Sequence, residues 1–325
     1  MRRALSSILF AGSLALLGCT EQAEESSDAA TAAVEPAAES IVVFAAYEDS
    51  GYLPTLFNEF TQETGIVVIV RNGEIPGIVD DVIRNDTDPV ADVLITPSVY
   101  DAWRVAEEGE LRPNYSELVS SNVPEWLRDP DKYWLALGYR QAEIIYNADQ
   151  FDAAEIASYE DLAQEFDRRK LCLSSSSLAI NRTVIAMLMR KLGRREAELA
   201  VRGWVANFAQ PPLGTEAELV QAIARGECGV GIASSGAAAG TRLQVVVPVE
   251  AYVDIEAIGV TRHAASPDAA IRLIDWLVSP EQQKSHAEQT GLIAVAGDGP
   301  DRANVVLAAA GAVEANKLAE RARYR

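Results

Sequence analysis

Short apolar runs alternate with amphipathic stretches along most of the chain. Ile41-Val-Val-Phe-Ala-Ala46 is a short apolar run, the pattern of a strand buried in a parallel sheet, and residues 66–70 and 91–95 read as a second and a third strand. Between them Leu53, Leu56, Phe57 and Phe60 recur at helical spacing, with Pro54 tolerated in the first turn and Gly65 as the stop. Helices are expected over 75–85 and 99–108. A strand–helix order repeated in this way predicts a parallel sheet with helices on its faces. Residues 134–140 and 143–146 read as one long extended segment. A helix is expected over 159–167, then Cys172 in a strand, a serine run, and helices over 178–192 and 196–208. Thr215 is placed to cap a helix over 216–225. Strands are expected over 228–233, 243–247 and 256–260, followed by helices that open at Pro267 and Pro280 and a last, Ala-rich helix over 301–323.

The first residues break this pattern. Arg2 and Arg3 precede an uncharged stretch from Ala4 to Gly18, about 15 residues, too short to span a bilayer comfortably and charged at the end expected of a secretory signal. It ends Leu16-Leu17-Gly18-Cys19, which looks like a bacterial lipobox. Residues 1–18 then read as a signal peptide and Cys19 as the lipidated residue; an ordinary signal with an incidental cysteine is the alternative. Residues 19–40 are rich in Glu, Ala and Ser and read as a lipidated acidic linker. The chain therefore belongs in the periplasm or cell envelope, held to a membrane through its lipid only.

The 325 residues carry a formal charge of −20, which argues against nucleic acid as a partner. Cys172 and Cys228 remain after processing. An even number of cysteines in an oxidising compartment suggests a disulfide, with two buried thiols as the alternative. The bridge would close a loop worth about 4 kcal/mol. Two lobes are expected: 41–137 with 249–325, and 138–248, with a ligand held between them. No GxSxG, GxGxxG or Walker loop occurs, so an enzyme is not expected. His263 follows a strand, and His286 is expected on a surface helix.

Ala91-Asp-Val-Leu94, Gly138-Tyr-Arg140, Ile145-Tyr-Asn147, Leu171-Cys-Leu-Ser-Ser-Ser176, Gly203-Trp-Val-Ala-Asn207, Arg225-Gly-Glu-Cys228, Gly259-Val-Thr-Arg-His263 and Leu277-Val-Ser-Pro-Glu281 resemble, in order, the ferric-iron-binding proteins of bacterial ABC transporters. The resemblance implies the two-lobed type II periplasmic binding fold, α/β with a mainly parallel sheet in each lobe and a hinge of crossing strands. It also implies a monomer that captures a small-molecule or metal solute and delivers it to an ABC permease in the inner membrane.

The family's adjacent tyrosine pair is absent: Ala233-Ser-Ser-Gly-Ala-Ala-Ala-Gly-Thr-Arg242 stands in its place. Tyr139 matches a further family tyrosine, and Glu48, beside Tyr47 and Asp49, occupies a ligand position after the first strand. Tyr139 and Glu48 are thus the candidate metal ligands for Fe(III) with a synergistic anion; packing at the hinge and helix capping are the alternative. Ser175, Ser176 and Ser177 match the family's anion-holding turn at a helix start, with Asn181 one turn further on and Arg140 as a charged contact; a capping turn without ligand is the alternative. Ser235 is a candidate where the tyrosines are missing. Two further readings stand beside iron: a receptor for a small anionic phosphonate or carboxylate, and a sensor or scaffold lipoprotein without transport.

Overall fold

The computed structural model describes residues 39–46, 52–154, 156–164, 170–295 and 305–325. The signal, the linker and Cys19 lie outside the described residues, as do Tyr47, Glu48 and Asp49. From Ala38 onward the chain forms one unit. In chain order its elements are β1 (Ser40–Ala45), α1 (Tyr52–Thr64), β2 (Val67–Asn72), α2 (Gly77–Arg84), β3 (Val93–Thr96), α3 (Val99–Glu107), β4 (Leu111–Arg112) and α4 (Glu117–Asn122), then β5 (Leu135–Tyr146), α5 (Ala179–Leu192), α6 (Arg194–Ala206), α7 (Glu216–Ala224), β6 (Val230–Ser234), β7 (Gln244–Val246), β8 (Val253–Thr261), α8 (Pro267–Leu277), α9 (Pro280–Thr290) and α10 (Val305–Ala322).

The sheet runs β2-β1-β3-β8-β5-β6. β1 pairs in parallel with β2 and β3, as the βαβ pattern requires. β8 runs antiparallel to both β3 and β5, so the sheet is mixed. β5 joins the two halves: residues 135–141 pair with β8, and residues 142–146 pair with β6 and β7. The pairing with β8 shifts register between Ala136 and Gly138. A Cβ at Gly138 would stand 2.9 Å from Leu292, so the segment after α9 approaches the strand closely only because no side chain is there.

Buried apolar side chains form two larger cores. One collects β1, β3, β8 and the helices α1, α2, α3 and α8; the other collects Ala142, Ile144, Trp204, Ile232 and the buried face of α5. A smaller cluster surrounds Cys172 and Cys228 with Leu219, Ile223 and Ala233. Residues 249–325, expected with the first lobe, divide between the cores. Val305 and Ala309 pack in the first, whereas Tyr252, Ala315, Leu318, Ala319 and Tyr324 pack in the second. α10 spans both because its alanines and Gly311 let it lie against α5; a Cβ at Gly311 would meet Ala186 at 3.1 Å.

The helix expected over 159–167 is reduced to a 3-10 turn, Glu160–Ala163, with 165–169 outside the described residues. Two of its carbonyls also bond at a distance: Tyr159 O, which takes the local Leu162 N–H, accepts from Trp204 Nε1 at 2.9 Å, and Leu162 O accepts from Asn207 Nδ2 at 2.9 Å. Thr215 caps α7 with a reciprocal bond from Glu218, the capping box foreseen only in its first half.

Cys172 and Cys228 are bonded, closing a span of 56 residues. The double variant C172A/C228A is expected to lose up to about 4 kcal/mol of stability, read as a lower urea midpoint with a steeper slope, because the unfolded chain is freed to expand.

Candidate functional site

The hinge strand β5 carries two of the predicted residues on opposite faces. Tyr139 is buried in the first core, its ring edge-on to Trp126 at 5.3 Å between centroids. Burial raises its phenol pKa, so forming the phenolate that a ferric ion prefers becomes harder. Arg140 points the other way, is half-buried, and lies opposite Asp254 in the β5–β8 register. Among the described residues it makes no contact ion pair; burial raises the pKa of the Asp254 carboxyl, and the Arg140 charge opposes that shift through space.

Asp254 has no exposed surface. Its Oδ1 accepts from Val99 N–H at 3.1 Å and from Ser98 Oγ at 3.3 Å, at the N-terminus of α3 where negative charge is favoured. Arg182, half-buried one turn into α5, reaches across from the second core. Its Nη2 is 3.4 Å from Ser98 Oγ, its Nη1 is 3.4 Å from Ser177 O, and its guanidinium lies 4.6 Å from the Tyr100 ring centroid. Asp101, in the first turn of α3, is buried beside this group; desolvation first, with Asp254 adding to it, pushes its pKa up to about 6 against the pull of Arg182 and Arg104. Ser98, Tyr100, Asp101, Arg182 and Asp254 were not singled out from sequence. The serine before a helix and the first-turn acid are readable as a cap, but their convergence with Asp254 and Arg182 is not.

The serine turn divides in its roles. Ser175 Oγ and Ser177 Oγ lie 2.8 Å apart at the half-open start of α5, whose N-terminus no side chain caps. Ser176 Oγ donates to Tyr324 O at 3.1 Å. Asn181 is buried and turned back on the turn, its Nδ2 donating to Ser174 O, Ser174 Oγ and Ser175 O at 2.9–3.1 Å. Tyr324 Oη donates to Ser174 O at 2.6 Å, so the last residues of the chain brace the same loop. Ser235 belongs to the β5 edge: its Oγ and N–H bond Gln141 N–H and Gln141 O at 3.1 and 2.8 Å. The turn after it is wide, with Gly236 at φ +81°, and the Gly236 N–H bonds Glu143, whose pKa burial raises. The predicted residues among those described thus fall into four places: Arg140 near Arg182 and Asp254, the serine turn with Asn181, Ser235 at the β5 edge, and Tyr139 apart in the core.

His286, expected on a surface helix, is buried. Its Nε2 is 2.7 Å from Glu256 Oε2 and its Nδ1 is 3.0 Å from Tyr52 Oη. The polar sequence of α9 hides this, because the face toward β8 buries Gln282, Gln283 and His286 in place of apolar residues. Among the described residues no cluster of three or more His, Cys, Asp or Glu side chains is arranged to hold a metal ion, and no helix is long and apolar enough to cross a membrane.

Residues 55–312 match the family described as bacterial extracellular solute-binding protein. The chain is 29% identical over 245 residues to Iron uptake protein A1 of Synechocystis sp., covering 70% of this chain and 68% of that one. It is 27% identical over 258 residues, 73% of each chain, to the spermidine/putrescine-binding periplasmic protein of Salmonella typhimurium. Among solved structures, Trichodesmium FutA in complex with iron and citrate aligns with a TM-score of 0.80 at 27% identity, over 88% of this chain and 100% of that one.

The raised pKa of Asp101 has a defined sign for stability. A carboxyl that holds its proton more tightly when folded favours the native state at low pH, and that contribution is lost as pH rises from about 4 through about 6. Asp101→Asn is expected to flatten the fall in stability across this window by about 2–3 kcal/mol, read from urea midpoints at the two ends.

Proposed function

The chain belongs to the bacterial extracellular solute-binding protein family, and we propose on that premise that it is a lipid-anchored receptor whose solute carries an anionic group. It is the periplasmic solute-binding component of an ABC importer, and its relatives are transport proteins. The observation that carries the anionic reading is Arg140: a half-buried guanidinium on the strand shared by both cores, without a contact ion pair among the described residues. Arg182 acts on both buried carboxyls, Asp101 and Asp254, so the anionic reading rests on Arg140, whose guanidinium makes no contact ion pair among the described residues. The hydroxyls of Ser175 and Ser177 at the uncapped start of α5 add neutral donors of the same preference. A small carboxylate or phosphonate fits this chemistry. The lobes 41–137 with the start of the C-terminal segment, and 138–248 with the end of α10, would close on it about β5 and β8. The lipid on Cys19 would hold the receptor near its permease.

A second reading keeps ferric iron as the cargo, delivered with its anion. It is favoured by the likeness to an iron- and citrate-bound structure. In that case the anion takes the Arg140 and serine-turn contacts, and Tyr139 and Glu48 remain the candidates for the metal. The buried, pKa-raised phenol of Tyr139 weighs against a bare ion and toward a chelate.

Calorimetry with citrate and with an alkylphosphonate, each with and without ferric iron, separates the two. Arg140→Ala is expected to weaken the tighter ligand by about 10- to 100-fold, the cost of losing a charged hydrogen bond, while unfolding stays a single cooperative transition at a somewhat lower temperature. Unaltered affinity removes the anionic reading. Under the iron reading alone, Tyr139→Phe also abolishes a visible phenolate-to-iron absorption band.

A further inference from the structure

Arg128 and Glu125 line one cavity and do not pair with each other. The space, about 300 Å³ in volume, opens between the turn that follows α4 and the junction of α8 with α9, and none of its lining residues belongs to the candidate site. Val123 and Pro124 line it from the first side and Val278 and Pro280 from the second, so each side is partly apolar. Arg128 brings a positive charge. Its guanidinium lies 5.6 Å from the Tyr115 ring centroid, a contact that occupies a face and leaves the N–H groups. Its Nε is buried without a hydrogen-bond partner, and among the described residues the side chain has no ion pair. Buried donors are costly when left unmade, and a planar carboxylate is the group whose geometry meets a guanidinium. Acceptors stand in the same space. Glu125, in the 3-10 turn Glu125–Leu127, is exposed and pairs with no cation among the described residues. Pro124 has no N–H, so the Ser120 carbonyl, one turn before it, receives no helical donor. A positive group, a negative group and apolar walls around a small volume are the complement of a molecule that carries both charges on an apolar body.

We propose that this cavity is a second binding site, for a small zwitterion with an apolar body: the carboxylate on Arg128, the ammonium on Glu125 and the Ser120 carbonyl, the body between Val123, Pro124, Val278 and Pro280. A free aliphatic α-amino acid is the simplest molecule of this class. A simple carboxylate satisfies Arg128 but meets Glu125 with like charge, and a simple amine does the reverse. The site stands whichever solute Arg140 serves, so it holds or fails independently of that reading.

Saturation-transfer NMR on the full chain, with L-leucine as the probe, tests it. A saturable signal is expected, with Arg128→Gln and Glu125→Gln each raising the dissociation constant about tenfold or more and Arg140→Ala leaving it unchanged. 4-Methylpentanoate and isoamylamine, which keep the body and one charge each, are expected to bind about tenfold more weakly than leucine. The lack of a saturable signal overturns the proposal, as does a signal that Arg140→Ala abolishes and Arg128→Gln does not. Equal binding of 4-methylpentanoate and leucine overturns the zwitterion. If Arg128→Gln does not fold, Ser121→Trp, at an exposed lining position, fills the cavity from its rim. Loss of the leucine signal in that variant, with cooperative melting kept, supports the site; an undiminished signal overturns it.

Discussion

A carboxylate buried where two cores meet is the constraint around which this region is built. Asp254 lies on β8, with no exposed surface, and an ionised carboxylate in such a place must be met by donors or by positive charge. The structure supplies both. The N-terminus of α3 gives a backbone N–H and the Ser98 hydroxyl, β5 brings Arg140 into register beside it, and α5 sends Arg182 from the second core. Each partner belongs to a different element, so the balance of one charge ties α3, β5, β8 and α5 together.

A second set of buried polar contacts fixes the loop that faces this region. The serine turn has little apolar content of its own. It holds its shape because Asn181 and the terminal Tyr324 bond its carbonyls, and because the neighbouring disulfide fastens the preceding segment to the start of β6. α10 delivers Tyr324 by crossing from the first core to the second. Two of the three serines keep their hydroxyls turned to one another at the helix start, while the third is used for bracing. Serines that look equivalent in sequence therefore differ in what they can offer a ligand.

Much of the fold was legible because its signals are local. The runs at β1, β2 and β3, the apolar spacing of α1, the glycine stop at Gly65 and the Thr215 cap each depend on residues within a turn or two. The exceptions share a feature. Among the described residues the helix expected near residue 160 is a 3-10 turn, and two of its carbonyls also serve Trp204 and Asn207, more than 40 positions away. α9 reads as a surface helix because it is polar, yet it buries His286 against a glutamate 30 positions back. In both, a polar group meets a partner far along the chain.

The candidate site follows the same division. The sequence by itself determined that Tyr139 and Arg140 lie on one extended strand, that a serine turn opens a helix, that two cysteines are available to pair, and that the family's tyrosine pair is missing. Only the tertiary structure decided that Tyr139 turns into the core while Arg140 faces a carboxylate, and that Asn181 braces the turn. It alone brought Arg182 to Ser98, 84 positions away, and Ser98 to Asp254, 156 positions away. Backbone preference is set by neighbours in the chain. The partner of a buried charge is set by whatever folding brings within a few ångströms, and no spacing in the sequence encodes that distance.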